Sequence, residues 1–412
     1  MSTRRSFSPS RSDAAEVSAP ESDVSLPLRI ALILDPLSVQ LDGPLQLRVK
    51  WGDHAPKLAA EFLGRGHHVR GFGAPPGLIP RSTEGLEEAG DEGGWSRLRA
   101  FRPDVVIAYD ALSPAAMRGA RVARKVGAAL VLVEPAMPGS GRWHERVLHR
   151  IGEALWGPYV RRTAGAVVAL DSLSVDHALR EGFDRELIHR IPYGVDTADF
   201  RPGLTSTLLP RHRIRGRILL YVGRLSEGRG LETLIRAFAR TVGQREDWNL
   251  VIAGNGPLAP ALHAQSRRLG IGSRVTWLPR PRREELPGLM GASTLFAVPA
   301  VGDTVVGRQL GRALACGLPV LASDLPRLRD SVEDGRVGLL VEPGNVEAWV
   351  DAIGRAASSP VARKRWSREA RRYAEEHLSW DRVASEFEVV LRDARERVEA
   401  KLAAKRAKPA TS

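Results

Sequence analysis

Short unbroken apolar runs alternate along the chain with stretches of helical spacing. Residues 28–35 read LRIALILD and lead into DHAPKLAAEFLGRGHHV at 53–69. PDVVIAYD (103–110) leads into the Ala-rich SPAAMRGARVARKVG. AALVLVEP (128–135) leads into a helix candidate at 142–162, and AGAVVALD (164–171) into SVDHALREG. Runs that are apolar on every position read as parallel strands covered by helices on both faces. The same grammar restarts after the Pro- and Gly-containing passage IPYGVDTADFRPGLTS at 191–206. Its second round is RILLYVGRL, a helix, NLVIAG, a helix, RVTWLP, a short helix, STLFAVP, a helix, PVLASD and GLLVEPGN. The pattern predicts an α/β protein with two doubly wound, Rossmann-like halves. The expected boundaries are a first domain at 27–200 and a second at 201–378. Ligands of such sheets sit beyond the carboxyl ends of the strands, so a cleft between the halves is the natural site.

Composition narrows this reading. At 412 residues the chain suits two ordinary domains. Cys316 is its single cysteine, which leaves no disulfide framework and no Cys-rich metal site and fits a reducing, cytoplasmic compartment. No apolar run reaches the length of a membrane span. The Ser-rich start lacks the apolar core of a signal peptide, and residues 1–26 read as a disordered tail. The net charge of +13 comes with arginines spread through every segment, which reads as a general bias in residue usage. Aromatic residues do not interleave with the arginines, so nucleic acid is not expected as a partner. The exception is the tail from 397 to 412, whose cations suggest loose peripheral contact with phosphate head groups.

YVGRLSEGRGLETLIRAF (221–238) is a strand, a turn and a helix start. Gly223 permits a tight turn, and Gly230 stands where free N–H groups and the helix dipole favour an anion. Arg224 and Arg229 flank that point, and two guanidinium groups at a helix N-terminus suit a pyrophosphate. In VIAGNGPL (251–258), Gly254 and Gly256 bring the backbone close to a strand end beside Asn255, and Pro257 opens the next helix.

Together, VGRLSEGRG, IAGNGPL, IHRIPYGVDTADFRP (188–202) and ALACGLPVLASDLPRLRDSVEDGRVGLLVEPGN (313–345) resemble the retaining glycosyltransferases of family 4, which have the GT-B fold. LSWDRVASEFEVVL (378–391) resembles the helix that crosses back onto the N-terminal domain in that fold, expected here over 379–396. The resemblance implies a nucleotide-sugar donor on the second half and an acceptor, saccharide or lipid-linked, on the first. It implies Arg224 and Arg229 on the diphosphate and no divalent metal or other cofactor.

The donor loop departs from the family. PAVGDTVVGRQLGRALACG (299–317) puts Thr304, beside Asp303, and Arg312 in the two slots where the family carries glutamates for the sugar and the ribose. Gly302 and Gly307 are present, so backbone N–H groups can still converge on an anion. Asp303 reaches the sugar if the loop shifts by one residue. Arg312 only donates and cannot accept from ribose hydroxyls; an extra phosphate or Asp303 would suit it. In the first half, single glycines Gly43 and Gly52 replace the family's Gly-Gly turn, and Tyr109 stands in a common histidine slot. Asp110 and Glu134, at strand ends, are candidates for the acceptor side. His54 and His144 read as packing or surface residues. Three readings stand: an active retaining transferase with a rewritten donor pocket, a degenerate GT-B protein that binds a partner, and a basic surface-binding protein. The oligomeric state is not legible.

Overall fold

The computed structural model describes residues 26–33, 39–41, 47–49, 54–72, 88–89, 94–134, 152–242, 247–302, 307–333 and 335–407. The apolar runs become two parallel sheets. The first has the spatial order Glu88–Ala89, His68–Phe72, Arg29–Ile33, Val105–Tyr109, Ala129–Glu134, Ala164–Ala169, Ile188–Arg190. The second runs Val275–Leu278, Trp248–Ala253, Arg217–Val222, Leu295–Val298, Val320–Ser323, Gly338–Val341. In each, the first strand in sequence lies inside the sheet, the chain builds to one edge, and it then returns to build the other side. The crevice where the winding reverses lies between Arg29–Ile33 and Val105–Tyr109 in one sheet, and between Arg217–Val222 and Leu295–Val298 in the other. The architecture is α/β and GT-B, as the sequence predicts.

Helices cover both faces because the strands are apolar on both. Pro114–Val126 begins at Ser113, whose hydroxyl accepts from the Ala116 amide, and ends at Gly127 in the left-handed region. Two local expectations need correction. HHV is not the end of a helix: the first helix stops at Gly64 and His68–Phe72 is a strand. The helix expected over 142–162 is interrupted at Trp156, after which Gly157–Thr163 starts with Pro158 in its first turn; residues 142–151 lie outside the described residues.

The chain crosses between the domains twice, side by side. Outbound, the Val195 amide donates to the Leu378 carbonyl at 2.6 Å. On the return, helix Pro360–Tyr373 continues through a π-helical turn, Ala374–Leu378, and Ser379 then opens helix Trp380–Ala407. The Arg371 guanidinium clamps the crossing by donating to the carbonyls of Thr197 (3.1 Å), Phe200 (2.8 Å) and Ala315 (2.8 Å). Trp380, Val383, Phe387, Val390 and Leu391 complete the core of the first sheet against Leu58, Phe62, Ile107 and Val131. This helix was expected to end at 396, with a tail beyond. It runs to Ala407, so most of that tail is helical.

His67 ties this helix to the start of the first sheet. Its Nδ1 accepts from the Leu28 amide at 3.1 Å, and its Nε2 lies 3.4 Å from Glu388. Burial holds its pKa below the ordinary 6.5 and outweighs the pull of Glu388; burial does the same for His189. A depressed folded pKa means that the unfolded chain binds protons first as pH falls. The stability these histidines contribute is therefore complete above pH 6.5 and declines below it. Denaturant midpoints are expected to be lower at about pH 5.5 than at about pH 7.5; an equal or higher midpoint in acid contradicts the assignment.

Candidate active site in the interdomain cleft

The two sheets turn their carboxyl ends toward one another. In the second domain, three loops leave those ends at the crevice and are woven together. Gly223 donates to the Ala253 carbonyl at 3.0 Å, Leu225 to Asn255 at 3.0 Å, and Leu258 to Leu225 at 3.0 Å. Val301 donates to Gly228 at 3.0 Å, joining the 223–230 loop to the 299–302 loop across the reversal point. Gly230 makes the crossing possible. It has φ +65°, and a Cβ there would lie 1.7 Å from the Pro299 carbonyl oxygen. Gly254 is similar, with φ +154° and a would-be Cβ 1.8 Å from the Gly223 carbonyl oxygen. Only glycine fits either place.

The woven loops bring Gly223, Arg224, Arg229, Gly230, Asn255, Gly256 and Gly302 to one end of the sheet. Arg224 and Asn255 are exposed, and Arg229 is half-buried. Beneath Arg224, the Tyr221 hydroxyl donates to its carbonyl at 2.9 Å. Burial pushes the Tyr221 phenol up to about 12, with Arg229 opposing the shift, so the phenol stays a neutral donor. The loop is thus held from below, and the Arg224 side chain above it is exposed. Gly230 opens helix Leu231–Thr241 without a capping side chain. Its first N–H groups follow Arg224 and Arg229 in the same strand–turn–helix.

Arg312 has one contact outside these loops. It lies on the helix Gly307–Ala315 with its guanidinium over the Phe200 ring, 5.1 Å from the centroid. One turn earlier, Arg308 lies over Tyr193 at 5.8 Å. Both arginines thus touch rings of the crossing segment, contacts that spacing to Ala-Cys-Gly does not reveal. Asp303 and Thr304 lie outside the described residues.

On the facing domain, Asp110 and Glu134 end neighbouring strands at the cleft. Asp110 takes φ +64°, an unusual backbone for a residue other than glycine. Glu134 is buried rather than presented to the cleft: its carboxylate accepts from the Ala111 amide at 3.1 Å and lies 3.5 Å from Nδ1 of His177. It braces the turn that carries Asp110. His177, in SVDHALREG, gave no signal beyond its helix. His54 is fully buried, 2.8 Å from the Tyr109 hydroxyl and edge-on to Tyr193 and Trp380, which fits the packing reading. His144 lies outside the described residues.

A latch closes one side of the cleft. Asp171 caps helix Ser172–Arg180 and pairs with Arg327 of the other domain at 2.7 Å. Asp330 accepts from the Ser172 amide at 2.7 Å and pairs with Arg190 at 3.1 Å. Asp330→Ala removes the acceptor of both contacts. It is expected to widen the unliganded protein, read as a larger radius of gyration in small-angle scattering and faster proteolysis near 191–206. An unchanged scattering profile would show that the Asp330 contacts do not set the domain angle.

Comparison with known proteins agrees with this fold. Residues 210–373 match the family described as glycosyl transferases group 1, and residues 48–194 match the glycosyl transferase 4-like domain. A D-inositol 3-phosphate glycosyltransferase of Salinispora tropica is 32% identical over 212 residues, which cover 47% of this chain and 43% of that protein. An alpha-D-kanosaminyltransferase of Streptomyces kanamyceticus is 27% identical over 231 residues, 55% of this chain and 59% of that one. The chain spans about half the length of the curated relatives it matches. Among solved structures, HepE of Anabaena in complex with UDP superposes with a TM-score of 0.69 at 19% identity, over 88% of this chain and 99% of that one. A glycosyltransferase of Rickettsia africae gives 0.71 at 15% identity, over 89% and 98%. At such identities these two show the shared fold.

Proposed function

Since the chain carries a glycosyltransferase domain in each half, we propose that it moves a sugar from a nucleotide-diphosphate sugar, held by the second domain, to an acceptor on the first. The observation that carries this reading is the pairing of Arg224 and Arg229 with the open helix N-terminus behind Gly230, at the reversal point of the second sheet. Breaking a sugar–phosphate bond leaves charge on the departing diphosphate. Two guanidinium groups and a helix N-terminus stabilise that charge, and the fixed loops need no rearrangement to do so. The facing domain supplies the acceptor in a fixed orientation and closes the cleft against water. We read the reaction as retaining, metal-independent and cytoplasmic, with a saccharide or lipid-linked acceptor.

The placement of Arg312 favours a second reading, a GT-B protein that binds a ligand or partner and catalyses little. A ribose held by a carboxylate in that slot would have no such partner here. Calorimetric titration with UDP, GDP and ADP and their sugar conjugates, in chelator, separates the two readings. UDP comes first, because HepE was solved with it. Micromolar binding of one nucleotide that is lost in Arg224→Ala supports the transferase. No binding by a well-folded sample supports the scaffold.

A further inference from the structure

The charges of the interdomain latch are crossed in sign. The first domain presents Asp171 and Arg190, and the second presents Arg327 and Asp330. Asp171 pairs with Arg327 at 2.7 Å, and Arg190 with Asp330 at 3.1 Å. Exchanging the partners would set Asp171 on Asp330 and Arg190 on Arg327, so one docking register alone satisfies all four. The Arg327 side chain is 6% exposed, and this carboxylate partner comes from the other domain. Desolvation of a buried guanidinium is offset by close, well-aligned pairing and not by partial approach. The contact is therefore made as a whole or not at all. The same short segment reaches the crossing between the domains. The Asp330 carbonyl accepts from the Tyr373 hydroxyl at 2.9 Å, while its carboxylate accepts from the Ser172 amide at 2.7 Å. Tyr373 ends helix Pro360–Tyr373, and the turn that follows, Ala374–Leu378, is π-helical. Such turns are rare and are found mostly at functional places. The last carbonyl of that turn, on Leu378, accepts from the Val195 amide. One short route thus joins Ser172, Asp330, Tyr373, Leu378 and Val195.

We propose that Asp171, Arg190, Arg327 and Asp330 form a two-state ionic switch that holds the ligand-free cleft closed, and that Tyr373 transmits its opening to the crossing segment. Two discrete domain arrangements follow from the all-or-none contact. Ionic strength is the variable that moves the equilibrium. Asp171 is 21%, Asp330 19% and Arg190 52% exposed, so salt reaches both pairs from the edge of the cleft. Tyr373 is bonded to the backbone of Asp330, so a shift of the 326–330 segment pulls on the end of the helix that enters the π turn. The switch stands on contacts between the domains and does not depend on the donor site.

The test is small-angle scattering of the full chain from about 0.1 to about 1 M sodium chloride, where the Debye length falls from about 10 to about 3 Å. The radius of gyration is expected to rise with salt. Contrast-matched profiles are expected to cross at common points, as two exchanging states require. The double variant Arg327→Gln, Asp330→Asn is expected to be open already at about 0.1 M and to respond to salt no further. Hydrogen exchange reads the transmission. In the parent, the Ser172 and Val195 amides are expected to exchange faster together as salt rises, by the same factor. In Tyr373→Phe, which keeps the ring and loses the hydroxyl, the Ser172 amide alone is expected to respond. A parent profile indifferent to salt overturns the switch. So does a gradual drift without common crossing points, and so does a salt response that survives in the double variant. Transmission through Tyr373 is overturned if the two amides respond independently in the parent, or still together in Tyr373→Phe.

Discussion

Arg224→Ala is expected to lower the rate of sugar transfer by about 10²-fold, or ~3 kcal/mol of transition-state stabilisation. The figure is that of one preorganised charge-assisted donor removed from a site where negative charge develops. Three features of the loop support it. The Arg224 backbone is fixed by the Tyr221 hydroxyl and the Leu225–Asn255 bond, so only the side-chain rotamers are left to order on binding. The side chain is exposed, so its removal leaves the core intact. The neighbouring Arg229 and helix N-terminus remain, which keeps the loss finite. Arg224→Lys should recover only part of the rate, because an ammonium cannot make the forked contact with a diphosphate. Single-turnover rates and nucleotide affinity, measured on both variants, check this. A full rate in Arg224→Ala would place the diphosphate elsewhere.

Gly230→Ala is expected to cost stability as well as activity. A left-handed backbone costs an alanine about 1 kcal/mol, and a Cβ 1.7 Å from the Pro299 oxygen forces the two woven loops apart. A total loss of about 3 kcal/mol corresponds to a fall of roughly 6–12 °C in the melting temperature of a domain of this size. The Val301–Gly228 bond, which aligns the loops, goes with it. Gly302→Ala is the matched control, since nothing lies within 4 Å of its would-be Cβ. Calorimetric melting of the two variants should therefore differ sharply, with Gly302→Ala near the parent. Equal melting temperatures would mean that the loops part without cost.

The strands of both sheets were legible because burial on both faces leaves them almost wholly apolar: Val105–Tyr109 and Trp248–Ala253 are buried throughout, and Asn249 in the second donates to the Arg215 carbonyl. His68–Phe72 was not. It is short and carries Gly71 and the half-buried Arg70, so it reads as the end of the preceding helix. The break at Trp156 was legible in Gly157-Pro158, which a single helix over 142–162 passes over. At the site, Arg224, Arg229 and their glycines were legible because a strand–turn–helix places its loop by local geometry alone. The latch was not, because Asp171 and Arg327 meet only through the docking of two domains. The contact of Arg312 was hidden for a related reason. Counting along a helix locates a residue on its axis, and what it touches depends on Phe200, far away in sequence.

The return helix has one more consequence. Trp380, Phe387 and Leu391 belong to the core of the first sheet, yet they leave the ribosome after the entire second domain. The second domain, contiguous in sequence, can close as soon as it is made. The first must wait with an apolar face of Leu58, Ile107 and Val131 uncovered until the last thirty or so residues emerge. During synthesis the domain begun first is thus completed last, and chaperone occupancy on nascent chains should concentrate on that face.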